Sequence, residues 1–403
     1  MTKVGVIGAG ASGIFSAVFA AEECLVTVFE KNDRPLKKVT ASGNGQCNIS
    51  NVRIGRNDYH GDSDFAMKVI SHFGMDSVRD YFYDLGIPFA EGKNGKLYPF
   101  SFQSSSVVDA LLFDAQRRNV NIKTLSRISR IKKIKDKFEL SMDINEVYDF
   151  DKIIIASGGC SYPSLGGTSD GYELCSSIGH NVINPFPAVV PVNIPLKKIH
   201  RLEGIKWNCE LKVISCGKEL KRAEGEILFT KYGFSGPVTL DVSRYVNDPD
   251  VDNKEIEIDL FPSIKHGELV KLLEKIFSVR GRSVSSALDG ILKKRMGQVF
   301  LELASFDPSR EAFSYIDRCA EISSLLKASR FNPGEARGFA EAVVAAGGVD
   351  CNEVNPFTME SKKIRGIHLT GEILDVDGDT GGFNLHFAWA SGALAGMAVR
   401  PLK

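Results

Sequence analysis

The sequence predicts an α/β protein in which a domain built on a parallel sheet is interrupted by an inserted antiparallel β-barrel and a small helical subdomain. Three observations lead to this prediction. A glycine-rich turn joins an apolar strand to a helix at the start of the chain. After about residue 188 the pattern changes to alternating polar and apolar residues broken by Gly and Pro. From about residue 338 the α/β character returns. The sequence of the first domain therefore continues after the two inserted ones.

The glycine-rich turn is the motif G-A-G-A-S-G at residues 8–13, which lies between apolar residues 4–7 and a predicted helix over 14–22. The helix begins with free N–H groups and the positive end of its dipole, both of which favour phosphate. Gly8 allows the tight turn, Gly10 allows the backbone to approach a pyrophosphate closely, and Gly13 allows the helix to pack on the sheet. The motif predicts a dinucleotide-binding site.

Glu30 follows the second predicted strand, residues 25–29. Its carboxylate can accept hydrogen bonds from both hydroxyls of an adenosine ribose, and its charge would repel a 2′-phosphate. FAD or NAD is therefore predicted rather than NADP. The simpler alternative, a buried strand followed by an ordinary glycine turn, leaves Glu30 without a role.

Composition limits the possible partners. The chain has 403 residues, 43% of them hydrophobic, with 50 Lys and Arg against 50 Asp and Glu. This balance provides no overall field to attract nucleic acid or an anionic membrane, so a small-molecule substrate is predicted, with neither of those as partner. A local basic run at Lys132, Lys133, Lys135 and Lys137 is interpreted as the solvated face of a strand.

The cysteine and histidine spacings exclude several kinds of site. Eight cysteines are scattered along the chain, which favours a reducing compartment. No two of them have C-x-x-C spacing, which excludes that redox centre and zinc knuckles. The seven histidines show no H-x-x-x-H or H-x-H pair, so no metal site is expected. The first twenty residues lack the basic region of a secretory signal, and we predict a cytoplasmic protein without a transmembrane helix.

The remaining elements of the first domain follow from periodicity. A fully apolar strand over 152–156, ending at Ser157-Gly158-Gly159, belongs in a central parallel sheet. The predicted elements before it are a loop over 32–62, helices over 63–86 and 104–118, the second begun by a serine run, and a β-meander over 122–150 with a turn at 135–136.

The predicted domain boundaries follow the changes in pattern. A nucleotide-binding domain comprises residues 1–188 and 338–403. The inserted β-barrel comprises residues 189–262 with about 329–337, and the helical subdomain residues 263–328.

A second glycine-rich constellation lies near the C-terminal end. A short strand over 366–369 leads into T-G-E-I-L-D at 370–375, and G-G-F-N at 381–384 precedes a helix of small residues over 384–399. Here too a backbone can approach a ligand closely. FAD is long enough to need two such contacts, whereas NAD alone needs only the first. The alternative is a tight turn that packs a helix on the sheet.

One segment carries a specific resemblance. Residues 37–51, K-K-V-T-A-S-G-N-G-Q-C-N-I-S-N, resemble the S-G-G-G-R-C-N-x-T-N loop of the BaiN-like (YhiN-like) flavoproteins, a branch of the two-dinucleotide-binding-domain flavoprotein class. The similarity covers essentially the whole chain. It continues through residues 155–159, 166–172, 225–230, 233–237 and from 346 to 384.

The resemblance implies FAD held non-covalently by a Rossmann-like domain, with the inserted barrel and helical subdomain covering the flavin. By position it implies pyrophosphate contacts at Gly8, Gly10, Ser12 and Gly13, a ribose contact at Glu30, and adenosine-side contacts at Lys31, Lys38 and the Ile128 backbone. It implies flavin-side contacts at Ser42, Gly43, Asn48, Gly371, Glu372, Gly382, Phe383 and Asn384, and further cofactor contacts at Ala11, Ser157 and Gly158. The chain departs from the family at Asn44 and Gln46, where glycine and arginine are usual. The missing arginine removes a fixed cation.

Flavin supplies the redox chemistry, and the protein supplies orientation and charge. A helix N-terminus at 382–384 would stabilise negative charge on the reduced cofactor without an acid or base. The catalytic residue stays unassigned, with five weak candidates for a proton donor: Tyr232, Lys231, Tyr162, Cys47 and His386. Four of them have a plainer alternative: a solvated hairpin end for Lys231 and Tyr232, and packing for Cys47 and for His386, although the His386 ring could titrate near neutral pH. Tyr162 could donate a hydrogen bond to a substrate carbonyl.

The sequence does not determine which compound exchanges electrons with the flavin besides the substrate. No second G-x-G-x-x-G follows a strand in the insertion, so no dedicated NAD(P)H domain is predicted. We expect an FAD-dependent oxidoreductase that takes hydride from transiently bound NAD(P)H and reduces a small unsaturated carbonyl compound. The alternatives are an oxygen-using oxidase of an amine or aminoketone, and a non-enzymatic flavin-binding accessory protein.

Overall fold

The computed structural model describes residues 1–143 and 146–401. The chain forms two compact units, and we name them by their place in the sequence. The Rossmann unit is Met1–Phe186 with Val343–Lys403, and the inserted unit is Pro187–Ala342. The predicted fold class is confirmed, because one unit is built on a parallel sheet and the other on an antiparallel sheet.

The secondary structure runs as follows in the described residues. The strands are β1 (Thr2–Ile7), β2 (Cys24–Phe29), β3 (Ser50–Asn51), β4 (Tyr59–Gly61), β5 (Phe89–Glu91), β6 (Lys96–Pro99), β7 (Asn121–Lys123), β8 (Ile128–Ile134), β9 (Lys137–Met142), β10 (Val147–Phe150), β11 (Lys152–Ile155), β12 (Val182–Ala188), β13 (Val192–Asn193), β14 (Lys206–Ser215), β15 (Lys218–Thr230), β16 (Gly233–Ser235), β17 (Lys254–Asp259), β18 (Ser329–Phe331), β19 (Val344–Val349), β20 (Ile367–Leu369) and β21 (Val376–Gly378). The helices are α1 (Ala11–Ala20), α2 (Lys37–Gly45), α3 (Ser63–His72), α4 (Met75–Asp84), α5 (Ser104–Arg117), α6 (Asp170–Ser177), α7 (Lys197–His200), α8 (Pro237–Asn247), α9 (His266–Phe277), α10 (Val284–Leu288), α11 (Met296–Leu303), α12 (Cys319–Lys327) and α13 (Phe383–Ala398).

The central sheet of the Rossmann unit has the order β20-β11-β1-β2-β7, and its neighbouring strands are parallel. Its inner strands are apolar on both faces, as in the fully buried run Ile153, Ile154 and Ile155. The chain passes from β1 to β2 on one side and later places β11 on the other. The strand order therefore reverses at β1, and such a switch point opens a crevice at the carboxyl ends of the strands.

The predicted β-meander packs on one face of this sheet. Strands β8, β9 and β10 pair antiparallel, with the turn after Ile134 where it was expected; residues 144–145 of the meander lie outside the described residues. A Cβ at Gly5 of β1 would lie 2.8 Å from the ring of Phe150. The meander therefore approaches β1 as closely as a glycine allows.

Helices α1 and α13 pack together through small residues. A Cβ at Gly392 would lie 2.6 Å from the Ser12 carbonyl oxygen, and one at Gly396 would lie 2.5 Å from that of Ser16. The Phe15 ring of α1 lies 5.1 Å from that of Trp389 in α13, centroid to centroid. This packing fixes the position of α13 relative to the glycine-rich turn before α1.

The inserted unit is one antiparallel sheet covered by helices. The strand order is β13-β16-β15-β14-β17-β18. Helix α9 buries Leu269, Leu273 and Phe277, a face with helical spacing, and these side chains belong to the same core as the sheet residues Phe229 and Ile256. Burying each such side chain contributes roughly 1.5–3 kcal/mol. Sheet and helices therefore share one core.

Some elements differ from the sequence prediction. Helix α2 lies inside the predicted loop over 32–62, and α8 lies where strands were predicted. The helix predicted over 63–86 is two helices, α3 and α4, because the backbone at Gly74 is extended. Helix α5 begins after Gln103, not after a capping serine.

Candidate functional site

The glycine-rich turn has the geometry that its three glycines predict. Gly8 has φ of 101°, and a Cβ there would lie 2.4 Å from the Ala156 carbonyl oxygen at the end of β11. A Cβ at Gly13 would lie 1.9 Å from the Gly8 carbonyl oxygen. Both positions therefore require glycine for the fold itself.

Gly10 is different because the space beside it is open. Apart from its neighbours along the chain, no heavy atom of the described residues lies within 4 Å of the position that its Cβ would take, and the same holds for Gly158 after the neighbouring strand β11. Gly10 is the N-cap of α1, whose first turn has no acidic residue and no capping side chain in the described chain. Open space beside an uncapped helix N-terminus fits a pyrophosphate.

Glu30 lies at the end of β2 beside this turn and is 7% exposed. Its Oε2 accepts a hydrogen bond from the Ala9 N–H at 2.9 Å. Its Oε1 accepts from the backbone N–H of Asn32 at 2.9 Å and from its Nδ2 at 2.6 Å. The carboxylate therefore fastens the turn, and its contact with a ribose stays a prediction.

The two glycine-rich constellations meet at Ser12. A Cβ at Gly371 would lie 2.5 Å from Ser12 Oγ, and this hydroxyl lies 3.4 Å from the Thr370 carbonyl oxygen. The Gly371 N–H donates to Ser391 Oγ at 3.0 Å. Ser391 of α13, which the sequence did not single out beyond its place in a row of small residues, therefore fixes the second constellation against the first.

A second helix N-terminus lies against the loop after α2. Gly382, the N-cap of α13, has φ of 98°, and a Cβ there would lie 2.4 Å from the Ser50 carbonyl oxygen and 2.8 Å from Asn48 Oδ1. That Oδ1 is buried and has no hydrogen-bond partner among the described residues. A Cβ at Gly43 would lie 2.9 Å from the Asn48 N. The predicted flavin-side residues of the loop and of α13 are therefore neighbours.

Lys38 and Glu372 bind each other. The Lys38 Nζ lies 3.0 Å from Glu372 Oε2 and 2.7 Å from Ser161 Oγ. Glu372 Oε1 accepts from Ser161 Oγ at 2.8 Å and from the Ala345 N–H at 3.0 Å. Both side chains were expected to contact cofactor, yet each is already engaged within the protein, and Ser161 was not predicted.

Phe383 and Asn384 fasten the start of α13. Asn384 Oδ1 accepts from the Gly378 N–H at 2.8 Å, and its Nδ2 donates to the Gly378 carbonyl oxygen at 2.7 Å. The Tyr59 hydroxyl donates to the Phe383 carbonyl oxygen at 3.0 Å. Trp389 Nε1 donates to the Ile49 carbonyl oxygen at 3.1 Å. These bonds hold the N-terminus of α13 against the loop that contains Asn48.

The other predicted contacts lie around this centre. Ile128 is buried at the start of β8, and the Ser126 N–H two residues earlier donates to the Glu30 carbonyl oxygen at 2.8 Å. Burial lowers the pKa of Lys31, whose Nζ lies 3.9 Å from Asp170. Ser42 Oγ donates to the Val39 carbonyl oxygen at 2.7 Å. Ala11 is half-buried in the first turn of α1, and Ser157 Oγ is buried with no partner in the described chain.

Two of the proton-donor candidates are buried in the Rossmann unit. Burial raises the pKa of the Cys47 thiol to about 12. Burial lowers the pKa of His386 to about 4, and its Nδ1 lies 2.8 Å from Ser50 Oγ. The expectation that His386 titrates near neutral pH is therefore wrong, because its charged form would be desolvated. Tyr162 is half-buried, with φ of 48°, before a 3₁₀ turn.

Lys231 and Tyr232 form the turn between β15 and β16 of the inserted unit. Lys231 is exposed and Tyr232 is half-buried. The Arg337 guanidinium lies 4.0 Å over the centre of the Tyr232 ring. The turn thus presents a tyrosine stacked with a cation.

Other kinds of site find no support in residues 1–143 and 146–401. There, no group of three or more His, Cys, Asp or Glu side chains is arranged to hold a metal ion, and no helix is long and apolar enough to cross a membrane. All eight cysteines are free thiols.

Comparison with known proteins places this geometry in a family. The model of the HI0933-like protein Rossmann domain matches residues 2–398. A 3-dehydro-bile acid delta(4,6)-reductase of Clostridium scindens is 32% identical, over 99% of this chain and 99% of its own. Ribosomal RNA dihydrouridine synthases of Escherichia coli and Haemophilus influenzae are 28% and 27% identical, over 96% and 98% of this chain and 95% and 97% of theirs.

The family match spans both units. The site is suited to FAD, since it has an open glycine turn, a carboxylate at the end of a strand and two helix N-termini without capping side chains in the described chain. The resemblance to the BaiN-like flavoproteins is confirmed by the 32% identity over the full length. The chain therefore belongs to the HI0933-like Rossmann family and is an FAD-dependent oxidoreductase.

Proposed function

We propose that this enzyme reduces a carbon–carbon double bond conjugated to a carbonyl group, with NAD(P)H as the hydride source. The net reaction adds a hydride to the carbon distal to the carbonyl and a proton to the proximal carbon, and NAD(P)H becomes NAD(P)⁺. A small unsaturated carbonyl compound is the first substrate class. The observation that carries the proposal is the full-length relationship to a reductase of a 3-oxo compound.

The residues proposed to bind the cofactor lie in the Rossmann unit. The open space beside Gly10 and Gly158, at the ends of β1 and β11, would accommodate the pyrophosphate, and the α1 N-terminus would be directed at it. Glu30 would accept from the adenosine ribose. Asn48 and Gly382 would lie along the flavin, where the buried Asn48 Oδ1 has no partner among the described side chains and backbone groups.

Bound FAD supplies a two-electron carrier that accepts a hydride from one substrate and donates it to another. The protein's contribution at the flavin end is electrostatic. Helix α13 has no acidic residue in its first turn, and within the described residues no side chain caps Gly382. The positive end of its dipole would therefore attract negative charge without the movement of a proton. The buried His386 is held neutral, so it adds no charge there.

The relatives' names describe chemically similar reductions. A 3-dehydro-bile acid with a Δ4 double bond contains that bond conjugated to the 3-oxo group. In uridine, the double bond removed on forming dihydrouridine is conjugated to the C4 carbonyl of the ring. The two substrates differ greatly in size and charge, but the reacting groups are of one kind.

A uracil in RNA is therefore the second substrate candidate. Two relatives named ribosomal RNA dihydrouridine synthase match 96% and 98% of this chain. The balanced net charge of the chain argues against a polyanionic substrate, but a balanced total does not exclude a local basic surface.

Anaerobic mixing of the flavin-loaded protein with NADH or NADPH tests the hydride source through the loss of flavin absorbance. We expect rapid bleaching by one nicotinamide, followed by recovery of the colour when a 3-oxo-4-ene steroid or a uridine-containing RNA is added. Bleaching by an amine alone, with peroxide formed on aeration, would instead support the oxidase. Gly10→Ala protein is the matched control, because the added methyl group meets no atom of the described residues within 4 Å, apart from its neighbours along the chain, but would occupy the space proposed for the pyrophosphate.

A further inference from the structure

Two basic segments of the inserted unit lie side by side. One comprises residues 197–206, from α7 to the start of β14, and the other comprises residues 293–295 before α11. Lys293 Nζ donates to the Lys206 carbonyl oxygen at 2.7 Å, and Arg295 Nη1 donates to the Arg201 carbonyl oxygen at 3.2 Å. We call residues 197–206 and 293–295 together the basic surface.

The basic surface concentrates positive charge in a chain whose net charge is zero. Its Lys and Arg side chains, all of residues classed as exposed, are Lys197, Lys198, Arg201, Lys206, Lys293, Lys294 and Arg295. The carboxylates within it or in ion pairs with it are Glu203, Glu226 and Glu302. The cations therefore exceed the carboxylates by four.

Arg201 and Lys206 are in ion pairs with Glu302 and Glu226, whereas three other cations are oriented by groups that carry no charge. Lys198 Nζ donates to the Glu302 carbonyl oxygen at 2.9 Å, and Lys293 and Arg295 also bond to carbonyl oxygens. A carbonyl oxygen orients an ammonium or guanidinium group but carries no charge to compensate it. Lys197 and Lys294 form no ion pair with any residue that the structure describes.

The basic surface adjoins the turn that contains Tyr232. The Ile194 N–H donates to the Tyr232 carbonyl oxygen at 2.9 Å, and the Ile194 carbonyl oxygen lies 2.7 Å from His200 Nε2 in α7. The half-buried Tyr232 ring carries the Arg337 guanidinium at 4.0 Å. Proteins that bind single-stranded RNA combine such groups: bases stack on aromatic rings while nearby cations contact the phosphate backbone.

We propose that the basic surface binds the phosphodiester backbone of RNA. The inference deepens the second substrate candidate above and rests on that part of the proposed function. Cations spread over two segments suit a polymer with regularly spaced phosphates better than a small molecule with one carboxylate, because each phosphate contact releases a counterion and adds to affinity. Such contacts position a substrate without reading its sequence, which leaves recognition of the uracil to the flavin site.

The test is the binding of a fluorescein-labelled RNA hairpin with a uridine-rich loop, measured by fluorescence anisotropy from about 50 mM to 200 mM salt. We expect binding by the flavin-loaded wild-type protein that weakens steeply with salt. In Lys197→Glu/Lys294→Glu protein we expect affinity to fall roughly tenfold or more and the salt slope to become shallower by about 0.7 for each lost phosphate contact. Both side chains are exposed, and flavin content serves as the folding control.

The matched control is Lys132→Glu/Lys137→Glu on the β8–β9 hairpin, which makes the same change in net charge at exposed residues of the Rossmann unit. It should retain nearly wild-type affinity. Equal losses in the two double variants, no RNA binding by the wild type, or equally tight binding of the wild type to phosphatidylserine vesicles would each overturn the inference. If the protein reduced an enone but did not bind RNA, the inferred role of the basic surface would be wrong and the proposed reductase activity would stand. If it bound RNA but reduced neither substrate, the proposed reductase activity would be wrong and the role of the basic surface would stand.

Discussion

The Cα of Gly13 lies so close to the Gly8 carbonyl oxygen that a Cβ at residue 13 would be only 1.9 Å from it. This distance is far inside van der Waals contact, and the opposing atom is backbone, which cannot rotate away. We therefore expect Gly13→Ala to destabilise the Rossmann unit by several kcal/mol, at the upper end of about 1–3 kcal/mol for overpacking or beyond it. The measurement is thermal unfolding of the flavin-free protein.

Gly10→Ala separates cofactor binding from folding. Apart from its neighbours along the chain, its Cβ would meet no atom of the described residues within 4 Å, and its φ of −80° is accessible to alanine. The flavin-free variant should unfold at nearly the wild-type temperature yet lose FAD during gel filtration, because the methyl group takes the space beside the α1 N-terminus. Full retention of FAD would place the pyrophosphate elsewhere.

Glu30 has both a structural and a binding role, and two substitutions distinguish them. Glu30→Ala leaves the N–H groups of Ala9 and Asn32 without their acceptor, which costs about 1–3 kcal/mol in the flavin-free protein. It should also lose FAD on purification. Glu30→Gln keeps one acceptor oxygen but turns an NH2 group toward the remaining N–H donor, so it should recover only part of the stability, while FAD binds about tenfold more weakly without the charged acceptor.

The Glu30 prediction is checked by the FAD content after gel filtration and by unfolding of the flavin-free protein in urea. If Glu30→Ala kept stoichiometric FAD, the adenosine half of the cofactor would have to be held by other residues. If both variants lost FAD equally, the hydrogen bonds to the turn would matter less than the charge.

One short segment of the sequence was sufficient to predict the local geometry of the glycine-rich turn, whereas its contact with a cofactor stays a prediction. Gly8, Gly10, Gly13 and Glu30 lie within a single strand–helix–strand unit, so their spacing determines their geometry. The Lys38–Glu372 ion pair joins residues 334 positions apart, and no local pattern encodes that pairing. Tertiary packing alone brings α2 and the end of β20 together.

The same dependence on tertiary packing limited the sequence predictions for Asn384 and for the stretch that forms α8. Asn384 was expected to face the cofactor, but both ends of its amide bond to Gly378 in β21, a contact that depends on the register of a separate strand. Helix α8 follows Gly236 and begins at Pro237, a favourable first helical residue, within a stretch whose alternating polar and apolar residues favoured strands.

Cys47 provides a test of chemical reactivity. Burial raises the pKa of its thiol to about 12, so the nucleophilic thiolate is nearly absent at pH 8. Cys216 is exposed. We expect iodoacetamide to modify Cys216 first in the folded protein and Cys47 only after unfolding, as measured by peptide mass spectrometry. Labelling of both at equal rates under native conditions would restore Cys47 as a candidate thiol at the flavin.

His386 predicts how stability depends on pH. Its pKa is lowered by burial to about 4 in the folded protein, against about 6.5 in an unfolded chain. Above pH 6.5 the ring is neutral in the folded and in the unfolded chain, so its titration does not change the free energy of unfolding there. As the pH falls from 6.5 to 4 only the unfolded chain takes up the proton, so the free energy of unfolding should decrease by about 3 kcal/mol from this residue.

His386→Leu removes that proton while filling a similar buried volume. Urea unfolding at several pH values, at a fixed excess of FAD, should show a slope between pH 6.5 and 4 that is smaller than wild type by about 1.4 kcal/mol per pH unit. The buried His368, whose pKa burial also lowers to about 4, keeps part of the dependence in both proteins. His72→Leu, at an exposed position at the end of α3, is the matched control for the loss of a histidine. An unchanged slope in His386→Leu protein would mean that the folded state admits the proton, and with it a charge beside the N-terminus of α13.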